Sequence, residues 1–299
     1  MKSLSGFHPY SVIYVDGMNL MSRSYYGMRD LFYQGHKTGM MYGICRFALD
    51  WQQRIPNVDI VVLWEGRNSW RKAKHPIYKG NRAGMKTPEE TTEFFDCVDR
   101  VKYALPTMGV RQAWADTYEA DDVVDTLAKS SPEGTKALYS SGDWDWWGLA
   151  DYGDILYQHN EVLTKERMRA MFEKKFGAKM IPLDKLWLFK VLTGDPSDNV
   201  PGVPRFPKKI ASELCHLTGI TETNLESMEP ALRRMNAFTW ADKVAGCREL
   251  IVRNSELLRP SKVPVDSIVW VDAQYSMDGF KDVLLKSGME SMSYRLTGV

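Results

Sequence analysis

Residues 11–17 read Ser-Val-Ile-Tyr-Val-Asp-Gly. A short β-branched and aromatic run of this kind reads as a buried strand, and Asp16-Gly17 closes it with a carboxylate. The pattern recurs. Residues 58–64 (Val-Asp-Ile-Val-Val-Leu-Trp) lead into Glu65-Gly66, and residues 137–141 (Ala-Leu-Tyr-Ser-Ser) lead into Gly142-Asp143. A fourth run, Asp-Ile-Leu-Tyr-Gln, covers 154–158. Helix-length segments near 38–54, 89–107, 120–130 and 164–176 accompany these runs, so the reading is βαβ units and an α/β fold with a mostly parallel central sheet.

Beyond residue 180 the strand signal fades. Leu183 to Leu192 reads as helix, Pro201 to Pro207 as a loop with three prolines and a glycine, and Lys208 to Leu217 as helix again. One or two helices are expected over 227–259, and residues 267–273 read as a strand or an extended packing segment. The expected division is an α/β domain over 1–180 and a helical region over 181–299 whose C-terminal segment packs back. No internal repeat or low-complexity tract interrupts it.

Composition narrows the function. The chain has 299 residues, four cysteines and five histidines. The cysteines (Cys45, Cys97, Cys215, Cys247) form no CxxC, which argues against a zinc centre or a disulfide framework and for a reducing compartment, the cytoplasm. No apolar run approaches the ~18 residues of a membrane span, and residues 1–20 do not read as a signal peptide. The net charge of +1 conceals strong local bias. Arg67, Arg71, Lys72, Lys74, Lys79, Arg82 and Lys86 form a basic strip without an acid among them, interleaved with Trp70 and Tyr78. Aromatic rings among cations suit stacked bases and phosphates. A solvated helix face laced with ion pairs would carry acids as well.

The acids gather in short groups: Glu119, Asp121 and Asp122; Asp143 and Asp145; Asp195 and Asp198. Taken singly, each is an ordinary turn or helix start. Together with Asp16 and Glu65 they place carboxylates at three successive strand ends, where open parallel sheets bind ligands. Carboxylates crowded in this way repel unless a cation joins them, and oxygen donors without His or Cys select Mg²⁺ or Mn²⁺. Two such ions suit in-line phosphoryl displacement.

These residues resemble the structure-specific 5′ nuclease (flap endonuclease) superfamily, in its short stand-alone, phage-type form. The resemblance is carried by Val15-Asp16-Gly17, by Arg71 through Tyr78-Lys79-Gly80-Asn81-Arg82, by Glu119-Ala120-Asp121-Asp122, by Ser141-Gly142-Asp143-Trp144-Asp145, and by Leu192-Thr193-Gly194-Asp195-Pro196-Ser197-Asp198-Asn199-Val200-Pro201-Gly202-Val203. It covers roughly residues 11–215.

The resemblance implies a resolvase-like (PIN-like) nuclease domain with a helical arch over about 67–95, then a helix-hairpin-helix DNA-binding region. It implies metal ligation by Asp16, Glu65, Glu119 and Asp121 on one side and by Asp143, Asp145 and Asp198 on the other, with Asp122 and Asp195 in support. Lys79 and Arg82 match the family's catalytic basic pair at the scissile phosphate. Arg71 and Lys86 are implied to steer the strand, Lys72 to bind DNA, and Tyr78 to stack on a base. Two departures stand out. Glu65 replaces the usual Asp. Arg205 and Pro207 replace hairpin glycines whose backbone approaches phosphate and whose loop holds K⁺; Pro207 has no N–H to offer, and Arg205, Lys208 and Lys209 supply charge instead.

The implied activity is Mg²⁺-dependent hydrolysis of DNA at a 5′ flap or 5′ end by two ions, with Mn²⁺ substituting. RNA–DNA hybrids are further substrates, replication proteins are possible partners, and the chain acts as a monomer in the cytoplasm (the host's, for a phage protein). The alternatives are a non-catalytic protein that binds branched DNA and a single-strand ribonuclease of a related fold. Trp144, Trp146 and Trp147 read as core.

Overall fold

The computed structural model describes residues 10–82 and 84–298. In chain order its helices are α1 Gly17–Gly27, α2 Gly39–Arg54, α3 Trp70–Lys74, α4 Pro88–Ala104, α5 Ala120–Ser130 and α6 Lys165–Phe176. Then follow α7 Leu186–Thr193, α8 Lys208–Cys215, α9 Leu225–Arg234, α10 Phe238–Gly246, α11 Arg248–Leu258 and α12 Met277–Lys286. The chain forms two compact units, one of Met1–Ser69, Lys86–Val162 and Ser261–Val299, the other of Trp70–Met85 and Leu163–Pro260. The expected boundary near 180 therefore lies inside the second unit, and the expected arch segment is divided between the two.

The first unit holds a seven-stranded sheet: β1 Val12–Asp16, β2 Asp59–Leu63, β3 Val110–Trp114, β4 Ala137–Ser141, β5 Gly153–Tyr157, β6 Glu161–Val162 and β7 Val269–Val271. Their order is β7-β3-β2-β1-β4-β5-β6. The inner five are parallel, and the two outer strands run antiparallel. The order reverses beside β1, so the switch point of the sheet opens between β1 and β4. Every residue of β1 is buried, which is why its run is apolar on both faces. Ile13, Val15, Ile60 and Val62 join residues of α1, α2, α4 and α12 in one core. Each such side chain contributes about 1.5–3 kcal/mol by leaving water.

β3 gave no clear strand signal because Arg111 and Gln112 interrupt it. Both are satisfied at long range. Arg111 pairs with Asp59 on β2 and Asp272 beyond β7. Buried Gln112 accepts from Trp64 Nε1 at 2.9 Å and donates to the Lys102 carbonyl at 2.9 Å. β7 then pairs with β3, which fixes residues 261–298 to this unit.

The second unit is helical. Phe172 and Phe176 of α6, 4.7 Å apart between ring centroids, pack on Phe189 of α7 at 5.2 and 5.1 Å. Three helices, α9–α11, fill the stretch where one or two were expected. After α7, Gly194 (φ +78°) and Gly202 pass so close that a Cβ on Gly194 would stand 2.3 Å from the Gly202 nitrogen. That contact, together with the ladder pairing Gly194–Asp195 to Val200–Pro201, is the physical reason for glycine at both ends of the loop.

Candidate active site

The carboxyl ends of β1, β2 and β4 lie side by side, and the strand-end acids come with them. Asp16 does more than end a strand: it is the N-cap of α1, which starts at once. Its Oδ1 accepts from the Asn19 amide at 2.9 Å and its Oδ2 from the Ser141 hydroxyl at 2.8 Å. Ser141 Oγ accepts in turn from the Asp143 amide at 3.0 Å. Burial pushes the Asp16 carboxyl up to about 7 against those two hydrogen bonds, and the charges of Asp143 and Glu65 push the same way.

Asn19 ties this corner to β5. Its Oδ1 accepts from the Gly142 amide at 2.9 Å and lies 3.2 Å from His159 Nε2. An acceptor there makes Nε2 the protonated nitrogen, so Nδ1 accepts from Ser140 Oγ at 2.8 Å. Burial, with Arg23 adding, holds His159 neutral down to about 3. A ring that titrates at 6.5 when unfolded and about 3 when folded stabilises fully above 6.5 and loses that stability as pH falls toward 3. Between pH 7 and 5, in EDTA, wild type is expected to lose about 2 kcal/mol more than His159→Gln in urea unfolding. Equal losses would contradict the neutral buried ring. Asn19 and His159 were not singled out in the sequence, and Ser141 entered only as the start of the string Ser141–Asp145, with no role of its own; the position of Asn19, three residues into a helix capped by Asp16, is a signal that could have found it.

Glu65 is exposed and follows β2 by two residues. The next residue, Gly66, donates to the Tyr118 carbonyl, and a Cβ there would stand 2.2 Å from the Ala115 carbonyl oxygen. That close approach requires glycine and brings the Glu65 loop against the one leading to Glu119. Glu119 is the buried N-cap of α5, in a capping box with Asp122, and Ser69 Oγ lies 3.3 Å from its Oε1. Asp121 Oδ1 accepts from Trp146 Nε1 at 2.7 Å. Trp146 and Trp147 are buried, as the sequence reading expected of core residues.

Asp122 is placed differently from its expected supporting role at a metal. It is fully buried; Oδ2 accepts from the Glu119 amide at 3.0 Å and Oδ1 from the Ser261 amide at 2.6 Å. It fixes the start of α5 and the segment after α11. Asp143 is exposed and caps the 3₁₀ turn Trp144–Leu149, accepting from the Asp145 amide at 3.2 Å.

In the second unit the segments 77–82 and 195–199 interlock. The Lys79 amide donates to the Asp198 carbonyl at 2.8 Å, Asn81 to the Pro196 carbonyl, and Asn199 to the Ile77 carbonyl. Asp198 accepts from Tyr78 Oη at 3.1 Å and pairs with Arg82 at 2.8 Å. Asp195 meets Lys190, a fully buried lysine, at 2.6 Å, and its other oxygen accepts from the Ser197 amide. Burial raises the Asp195 carboxyl, but Lys190 and Ser197 outweigh burial and hold it below its ordinary range. Its place is as the anchor of this loop.

Two residues of the basic strip are corrected. Arg71 is 2% exposed and donates to the Leu257 and Arg259 carbonyls at the C-terminus of α11, where a cation complements the helix dipole. Tyr78 is 3% exposed, with its hydroxyl on Asp198, so its ring is not presented for stacking. Tyr78→Phe is expected to cost about 1 kcal/mol of stability and leave nucleic-acid affinity within twofold. Because Phe keeps the ring, stacking is tested by Tyr78→Leu, where an affinity loss of tenfold in a variant that stays folded would restore the stacking role.

The remaining cations are reachable. Lys72, Arg82, Arg205, Lys208 and Lys209 are exposed, and Lys79 and Lys86 half-buried. Lys86 lies 3.4 Å over the Phe94 ring. Arg205 keeps the left-handed backbone a glycine would take, at φ +59°, and Pro207 opens α8 as its N-cap.

The fold and these strand-end acids define a resolvase-like nuclease domain. The family described as 5′-3′ exonuclease, N-terminal resolvase-like domain, matches residues 11–177, and the chain belongs to it. Among relatives, it is 31% identical over 232 residues to thermostable DNA polymerase I of Thermus filiformis, covering 76% of this chain and 26% of that one. It is 27% identical over 255 residues to DNA polymerase I of Mycobacterium bovis, covering 83% and 27%. The chain thus spans about a quarter of the length of these relatives. In fold it is similar to T5 5′-exonuclease with bound zinc (TM-score 0.61, 19% identity, 96% of this chain and 98% of that one). It is also similar to flap endonuclease-1 of Methanococcus jannaschii (TM-score 0.55, 14% identity, 96% and 91%).

Proposed function

We propose that the chain is a divalent-metal-dependent, structure-specific 5′ nuclease that cleaves DNA at a 5′ flap or 5′ end. The observation that carries this reading is Asp16. It is a buried carboxyl facing the charges of Asp143 and Glu65 at the switch point of a parallel sheet, in a family of 5′-3′ exonucleases.

Among the described residues no three His, Cys, Asp or Glu side chains close into a finished metal cage. The donor set nevertheless fits hard cations, being entirely carboxylate oxygen around a group whose ionisation burial opposes. Asp16, Glu65, Glu119, Asp121, Asp143 and Asp145 would hold Mg²⁺ or Mn²⁺, which supply Lewis-acid charge and an acidified water. The chain's own contribution is orientation. Asn19 and Ser141 aim Asp16, Ser141 aims the Asp143 backbone, and Trp146 aims Asp121.

Lys79 and Arg82 are assigned to the phosphate at the cut, where a fixed positive charge stabilises the developing negative one. Lys72 and Lys86 are assigned to the strand, and Arg205, Lys208 and Lys209 to the duplex. Lys208→Ala with Lys209→Ala is expected to weaken flap-duplex affinity about tenfold and to flatten its salt dependence. Unchanged affinity and slope would remove the hairpin from the interface. Function is tested by comparing flapped, nicked, blunt and single-stranded DNA in Mg²⁺. Flapped DNA should be cut fastest; equal rates on all four would contradict structure specificity.

A further inference from the structure

The turn after β5 carries two successive non-glycine residues in the left-handed region, Gln158 (φ +51°) and His159 (φ +65°). Such backbone is unfavourable for residues with a Cβ and persists where the surroundings enforce it. Here Arg23 of α1 donates to the Gln158 carbonyl, and His159 is held by Ser140 and Asn19.

A cavity of about 350 Å³ lies between this turn, α1 and α2. Arg23, Arg46 and Arg54 line it, and Phe47, Trp51 and neutral His159 form its buried floor. Arg46, Asp50 and Arg54 are spaced i, i+4, i+8, so they share one face of α2 over about 12 Å. Asp50 is the one carboxylate of the lining, and it is engaged by Arg295 at 2.6 Å and, more loosely, by Arg46 at 3.7 Å. Arg54 lies over the Trp51 ring at 5.1 Å, which leaves the edge of its guanidinium for an acceptor. The lining thus has an excess of positive charge. By contrast, a cavity against α4 is lined by Glu89, Glu93, Asp96 and Asp99 with only Lys37 and Arg100 as lysine or arginine.

Guanidinium forks that outnumber their carboxylates match the geometry of phosphate oxygens. The cavity adjoins the turn at the carboxyl end of β5, and β5 is parallel to β4, so that turn lies at the same end of the sheet as Asp143, while Arg54, at the end of α2, lies towards the start of β2. We propose that Arg23, Arg46 and Arg54 form a phosphate-binding site in the first unit, separate from the carboxylate cluster. Its occupant is a backbone phosphate of bound DNA or the phosphate of a free nucleotide. The DNA source rests on the nuclease reading above; the nucleotide source does not.

The test uses the full chain in EDTA, so that nothing is cut, and the double variant Arg46→Gln, Arg54→Gln. Both residues are exposed, and thermal unfolding checks the fold; Arg23→Gln serves as a second, independent variant. One arm titrates a 5′-flapped duplex by fluorescence anisotropy over a range of KCl. If the occupant is a DNA phosphate, the double variant binds about tenfold more weakly, and its log–log salt slope falls by one or two. The other arm titrates dTMP by calorimetry. Binding by wild type that both variants lose, with DNA affinity unchanged, assigns the site to free nucleotide. Wild-type behaviour of both variants in both arms overturns the proposal. Absence of DNA binding by wild type at every salt concentration would instead defeat the nuclease reading, while the dTMP arm still reads the cavity.

Discussion

Asp143→Asn is expected to lower the rate of flap cleavage about 10³-fold, equivalent to ~4 kcal/mol of barrier, while leaving the fold intact. The fold survives because the structural duties of Asp143 do not need its charge. Its side chain accepts from the Asp145 amide, which an Asn carbonyl oxygen also does, and its own amide donates to Ser141. What Asn removes is one negative charge from a cluster that already burdens Asp16. Single-turnover cleavage and thermal unfolding, run together, check this. A variant that cuts at the wild-type rate would show that the strand-end acids are not the reacting centre.

Arg71→Ala is expected to cost about 3 kcal/mol of stability in urea unfolding. Arg71 is buried and donates to two carbonyls at the end of α11. Removing it strands those acceptors, and hydrogen bonds to a charged group are each worth about 1.5–3 kcal/mol. Arg71→Lys recovers little, since an ammonium lacks the planar fork. Had Arg71 been a strand-steering cation, as the basic strip implied, the variant would keep its stability and lose only affinity. That outcome would contradict the structure.

The contrast between Arg71 and Asp16 shows what could be read along the chain. β1, β2 and β4 were legible because strands buried on both faces must be apolar, and the acids that follow them stand out; β5 was legible from its buried pair Ile155 and Leu156. The capping segment from Glu119 to Asp122 was legible as a helix start for the same local reason. Other features depend on partners far away in sequence. Asp122 binds the Ser261 amide, Arg71 the carbonyls of 257 and 259, and Tyr78 the side chain of Asp198. Nothing near these residues announces those partners, so a buried guanidinium looks like one more cation of a strip. β3 was hidden likewise, because Arg111 and Gln112 are satisfied only after folding. Asp195 and Asp198 sit in one motif, yet the structure gives them different partners: a fully buried lysine, and an exposed arginine with a tyrosine.

The most direct measurement of the central claim is the cutting of a 5′-flapped DNA duplex, labelled on the flap strand, with Mg²⁺ and with EDTA. The expected result is cleavage close to the flap junction in Mg²⁺ and none in EDTA. Cleavage that persists in EDTA, or tight binding without cleavage in both Mg²⁺ and Mn²⁺, would contradict a metal-dependent nuclease built on Asp16, Glu65 and Asp143.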